Sequence, residues 1–171
     1  MQHLAPLADA DAPDNAKKLF QAIQGHFGMV PNIFRTMGHA PDVLKATLDL
    51  NGAIQHDLDP TLRELAYLKA SQINGCNYCL HYHKTLGRKA GVNPTQIEDL
   101  EQYEKSNAYT DLQKTVLKFA EQWTKQGKVS AEVVKKLAAT LTPSQLVTLA
   151  GTVGLANWTN RFNESFNIEL P

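Results

Sequence analysis

The chain has 171 residues, the size of one domain, and its 17 Lys and Arg are matched by 17 Asp and Glu. Zero formal net charge lacks the basic excess of a dedicated nucleic-acid binder, and 43% hydrophobic with 20% charged residues is ordinary globular usage rather than disorder. No apolar run reaches the ~18 to 20 residues of a membrane span, and Met1-Gln2-His3-Leu4-Ala5-Pro6 is not a secretory leader, so a cytoplasmic protein away from membranes is expected.

Helix caps and breakers divide the chain. A first helix is predicted from about Asn15 to His26, with Leu19, Phe20 and Ile23 as its apolar stripe and Gly25 and Gly28 as its end. Val30-Pro31 forces an extended step before a short segment, Asn32 to Met37, closed by Gly38. Pro41 opens the next helix, with Val43, Leu44, Thr47, Leu48 and Leu50 at helical intervals. Asp59 as N-cap and Pro60 at the first helical position start another, in which Leu62, Leu65, Ala66, Lys69 and Ile73 mark one face and Asn74-Gly75 the stop. The following helix begins at or just before Cys76 and runs to Ala90, where Gly91 ends it.

Three capping boxes come next: Asn93 to Gln96, Thr110 to Gln113 and Thr142 to Gln145. Ser130 caps a shorter helix containing Val133, Val134 and Leu137. No stretch alternates β-branched and polar residues between hairpin turns. The expectation is all-α: one domain over residues 1–171, a bundle of about seven or eight helices.

Chemistry concentrates at the only two cysteines, Cys76 and Cys79. At about 100° per residue, Cys76, Cys79 and His83 share about a 60° arc of one helix, and His81 points elsewhere. A helix start offers free backbone N–H groups and the positive end of the dipole, which favour thiolate, the reactive form of cysteine. Such a pair can be oxidised to a sulfenic acid and close as a disulfide. Other readings of the pair are two small core residues, or a zinc site with His83, for which no second ligand pair exists in the chain. A thioredoxin-like site would need a βαβ context that is missing. His3, His26, His39 and His56 have no ligand spacing, and Trp123 and Trp158 read as core or subunit contacts. No glycine-rich phosphate loop or Ser-His-Asp arrangement is present, so no intrinsic cofactor or metal is expected and reducing equivalents come from another molecule.

From Asp59 to His83 the chain resembles the alkylhydroperoxidase D-like, or carboxymuconolactone decarboxylase, family. Glu64, eleven intervening residues, Cys76-Asn77-Tyr78-Cys79, three more and His83 match its peroxidase pattern without gaps. Val30-Pro31-Asn32-Ile33-Phe34 and the stretch from Ala156 to Asn163 resemble the peroxidase-related branch. The resemblance implies an all-helical fold, Cys79 as the peroxide-attacking thiol, Cys76 as the resolving thiol, and Glu64 as a base acting through His83 or a water. It further implies a hydroperoxide substrate, an external dithiol reductant (a lipoyl group or a thioredoxin-like protein), and trimers or hexamers.

One position departs from the pattern. Tyr78 stands where the family carries a His before the second Cys, and a phenol does not accept a proton near neutral pH. The helix-dipole argument favours Cys76 as the more reactive thiol, whereas the resemblance favours Cys79, one turn from His83. Glu64 lies among Leu62, Leu65 and Ala66, which suits a buried base, and Tyr67 one turn on reads chiefly as core packing. Two rivals accompany this expectation. One is a decarboxylase-like enzyme in which Glu64 and His83 do proton chemistry without the cysteines, the other a non-catalytic oligomeric module with a redox switch.

Overall fold

A computed structural model describes residues 2–171. Among them lie nine α-helices and no strand: α1 (Asp14–Phe27), α2 (Asn32–Met37), α3 (Pro41–Ala53), α4 (Pro60–Ile73), α5 (Asn77–Lys89), α6 (Pro94–Glu98), α7 (Asp111–Gln126), α8 (Ala131–Ala138) and α9 (Pro143–Phe166). The all-α expectation holds. The count exceeds seven or eight because the shortest segments, α2 and α6, each close helical turns of their own. Gly25 does not end α1. The helix continues to Phe27, and Gly28, at φ 75°, caps it by donating its N–H to the Gln24 carbonyl. All three expected capping boxes form, that of Thr142 and Gln145 through reciprocal bonds of 2.9 and 3.2 Å. No helix among the described residues is long and apolar enough to cross a membrane.

The chain divides into two compact units. One comprises the residues up to Leu50 together with Phe162–Pro171. Within it the N-terminal segment is tied to the C-terminal one by the His3 N–H, which donates to the Phe166 carbonyl at 2.9 Å. The Asn32 amide donates to the Glu169 carbonyl at 2.9 Å. Arg35 donates to the Leu7 carbonyl and pairs with Asp9 at 2.7 Å, and its guanidinium lies over the Phe20 ring.

The other unit, Asn51–Arg161, carries every candidate site residue. Its centre is α4, packed against both α5 and α7. The sequence suggests one apolar face for α4, but all ten residues from Leu62 to Ser71 are buried, so the helix is enclosed on every side. Two apolar cores flank it. Leu62 and Ala66 join Val116, Ala120, Leu137, Leu149 and Val153 on one side. Leu65 and Leu68 join Val92, Leu100, Tyr103 and Leu117 on the other. Lys69, within the buried stretch, is accommodated because its ammonium donates to the Leu100 carbonyl and Gln72 and lies 4.8 Å from the Tyr103 ring centre. Gly87 lets α5 lie close: a Cβ there would sit 3.3 Å from the Leu68 side chain.

Candidate active site

Local sequence positions each group. The Asp59 side chain accepts from the N–H groups of Thr61 and Leu62 at 2.9 and 3.1 Å, which starts α4 with Pro60 at its first position and puts Glu64 in the second turn. At the other end Asn74 closes the helix, and Gly75, at φ 68°, turns the chain in a conformation that suits a residue without a Cβ. The Cys76 N–H donates back to the Ser71 carbonyl at 3.0 Å, and Cys76 becomes the N-cap of α5. Its Sγ accepts the Cys79 backbone N–H at 3.3 Å. A sulfur in the cap position meets a first-turn N–H and the positive end of the helix dipole, both of which stabilise a thiolate.

The fold brings the expected acid and imidazole together. His83 Nδ1 lies 2.9 Å from Glu64 Oε2, joining α5 to α4, with side chains only 18% and 8% exposed. With Nδ1–H donated to the carboxylate, Nε2 is the ring nitrogen left for proton exchange. Arg63 Nε approaches the other carboxylate oxygen, Oε1, at 3.8 Å from an equally buried position. Cys79 and His83 are one turn apart on α5, neighbours on a helix face. Cys76 and Cys79 are both buried. His81 is exposed, as its helical angle requires. Among the described residues, no group of three or more His, Cys, Asp or Glu is arranged to hold a metal ion.

Three features of the site go beyond the sequence reading. Tyr67 is buried, but it is more than core: its ring stacks on His83 with centroids 3.5 Å apart and planes 12° apart. Its hydroxyl bonds to Thr159 of α9. Burial first, and then the neighbouring Cys79, hold the Tyr67 phenol well above the usual tyrosine range, with Cys76 and Glu64 adding to the effect and the Thr159 bond opposing it. The second feature is a buried amide network that pins the turn before Cys76. Asn74 donates to Asn157 and Asn160 of α9 at 3.1 and 2.9 Å, and Asn160 donates to Ser71 at 3.0 Å. The third is Arg63 beside Glu64. The signal for the first two is a stripe on α4, Glu64, Tyr67, Ser71 and Asn74, polar residues at steps of three and four in a helix that is otherwise largely apolar.

Residues 41–122 match the carboxymuconolactone decarboxylase family, a stretch that includes all four candidate site residues. Over that stretch the chain is similar to this family, and its fold is the alkylhydroperoxidase D-like one. Among curated proteins, it is 30% identical over 86 residues to the uncharacterized protein YdfG of Bacillus subtilis (strain 168). The match covers 50% of this chain and 58% of that relative, so the chain spans little more than half of its length. Among solved structures, the alkylhydroperoxidase AhpD core of an uncharacterized peroxidase-related protein from Ralstonia eutropha JMP134 superposes with a TM-score of 0.86 at 22% identity, covering 99% of this chain and 92% of that one. The debrominase Bmp8 superposes with a TM-score of 0.82 at 22% identity, covering 98% and 91%. At these identities the likeness establishes the fold the three chains share.

Proposed function

We propose that the chain is a thiol peroxidase and disulfide oxidoreductase, reducing hydroperoxides through Cys79 and Cys76 with Glu64 and His83 as its proton relay. The observation that carries this reading is the 2.9 Å bond from His83 to Glu64, made by the helix whose first turn holds both thiols. A carboxylate that fixes one ring nitrogen leaves the other to take a proton from a thiol and return it to a leaving group. The family match supports the reading, as does the peroxidase-related name of the Ralstonia structure.

In the proposed cycle, His83 Nε2 takes the Cys79 proton, and the thiolate attacks one oxygen of ROOH. The O–O bond breaks, and ROH departs with the proton returned by His83. Cys79 is left as a sulfenic acid. The Cys76 sulfur then attacks Cys79, the S–O bond breaks, and water leaves as the disulfide forms. An external dithiol, such as a lipoyl group or a thioredoxin-like protein, reduces that disulfide and becomes a disulfide itself. Cys76 suits the leaving position during reduction, since the Cys79 N–H and the helix dipole stabilise its thiolate.

Stopped-flow mixing of the reduced protein with cumene hydroperoxide tests the reading. Wild type consumes peroxide, Cys79→Ser does not, and Cys76→Ser gives a single turnover that stops at a sulfenic acid trappable by dimedone. If wild type consumes peroxide no faster than Cys79→Ser, the peroxidase reading is wrong. Full turnover of a carboxylated lactone by the double Cys→Ser variant would instead establish proton chemistry by Glu64 and His83 alone.

A further inference from the structure

We infer that Tyr67 is a positioning residue for His83: clamped to Thr159 of α9, its ring holds the imidazole in the one orientation that keeps Nδ1 on Glu64 and Nε2 available to the thiol. The inference deepens the thiol-redox reading and rests on it. Its test needs no peroxide, so the two fail separately.

Thr159 has one hydroxyl proton, and its Oγ1 lies 3.0 Å from the Leu155 carbonyl and 3.1 Å from that of Ala156, acceptors that can only receive it. With that proton given to its own helix, Thr159 accepts, and the Tyr67 hydroxyl is the donor of the bond between them. The phenol proton is therefore committed, and burial beside Cys79 keeps the phenol neutral. Tyr67 is thus neither a base nor a ready acid at neutral pH, and what it contributes is geometry.

That geometry is restrictive. Near-parallel rings 3.5 Å apart leave no room for the imidazole to swing about its Cβ–Cγ bond on that side. His83 is the most exposed of the four candidate residues, the one with the most freedom to turn toward solvent. Around it lie Glu64, with Arg63 behind it, and Tyr67 on α4, and the two cysteines of α5, while Thr159 of α9 holds the Tyr67 hydroxyl. A fixed ring plane lets the carboxylate and the thiol act on opposite nitrogens of one imidazole. A rotating ring would satisfy one at the expense of the other.

The experiment uses the reduced full-length chain. Two quantities are read: the NMR resonance of the His83 ring protons, assigned from a His83→Asn spectrum, and the pH profile of thiol alkylation by iodoacetamide. Tyr67→Leu is expected to abolish the upfield ring-current displacement of the His83 resonance. It should also slow alkylation near neutral pH by about threefold to about tenfold, the range an aromatic stack supplies. Tyr67→Phe retains the stack and most of the displacement. Thr159→Val loses the same hydrogen bond, and the double variant is no worse than either single change. A folded Tyr67→Leu protein with the wild-type His83 resonance and alkylation profile overturns the inference. Should Tyr67→Leu not fold, Tyr67→Phe and Thr159→Val carry the test, and additive losses in their double variant overturn it. Loss of peroxide consumption in wild type, with these spectral changes intact, would count against the peroxidase reading alone.

Discussion

Glu64→Gln is the substitution that separates charge from shape at the site. Glutamine keeps the side-chain length and an oxygen that can accept from His83 Nδ1, so the 2.9 Å contact can persist without the negative charge. A hydrogen bond to a charged partner contributes about 1.5–3 kcal/mol against about 1 for a neutral pair, and the site is dry enough for that difference to be felt. If the charge acts mainly on the imidazolium that forms as Cys79 is deprotonated, thiol oxidation by peroxide should slow by about twofold to about thirtyfold. The same change leaves the buried Arg63, whose Nε approaches Glu64 at 3.8 Å, without its carboxylate partner, though its Nη1 still donates to the Gln55 carbonyl. Removing one partner of a buried pair costs about 3–5 kcal/mol, and this long contact places the loss at or below the low end of that range. Activity and stability are therefore expected to fall together in Glu64→Gln. In Arg63→Met/Glu64→Gln the stability should return while the rate stays low. The assays are stopped-flow thiol oxidation and thermal unfolding of both variants. A Glu64→Gln protein that reacts with peroxide at the wild-type rate refutes the relay.

Asn160→Ala removes one hydrogen bond from Asn74, which keeps Asn157, and one from the buried Ser71, which keeps the Tyr67 carbonyl, and should cost about 1–3 kcal/mol, read as a drop in melting temperature. Leu149→Ala, at a fully buried position in the core beside α4, should cost about 2–5 kcal/mol in a urea titration. Alkaline pH offers a test of the buried phenols. Burial raises Tyr67, Tyr103 and Tyr109 above the usual tyrosine range, with Cys79, a hydrogen bond to Glu121 and Asp99 respectively as the next causes. Their folded-state affinity for protons exceeds that of the unfolded chain, so the stability they contribute is fully present below about pH 10 and lost as pH rises above it. Melting temperature should fall above that pH, with part of the tyrosinate absorbance appearing only as the protein unfolds. Full ionisation of all five tyrosines in a folded protein would contradict this.

Most of the helix boundaries were legible because caps are local. Asp59, Asn93, Thr110, Ser130 and Thr142 bond to backbone groups two or three residues away, so a short window of sequence suffices. The Glu64–His83 contact spans 19 residues, and was reached through the spacing of a family pattern rather than through periodicity. The structure adds what depends on distant chain segments. Tyr67 reads as core until α5 places an imidazole against its face and α9 supplies the hydroxyl that holds it. Asn74 reads as a helix stop, and it is one, but only α9 reveals that its amide also anchors the turn before Cys76. The enclosure of α4 was hidden for the same reason: the Leu100 carbonyl that accepts from Lys69, and the residues of α7 and α9 packed around Leu62 and Ala66, lie far along the chain.

The central claim is that the two sulfurs act as one redox unit. Titrating free thiols in the folded protein before and after a single equivalent of cumene hydroperoxide, with the mass of the peptide that spans Cys76 and Cys79, tests it most directly. Both thiols are expected to vanish together, and the peptide to become two hydrogens lighter. Two thiols still titrating beside unreacted peroxide would contradict it.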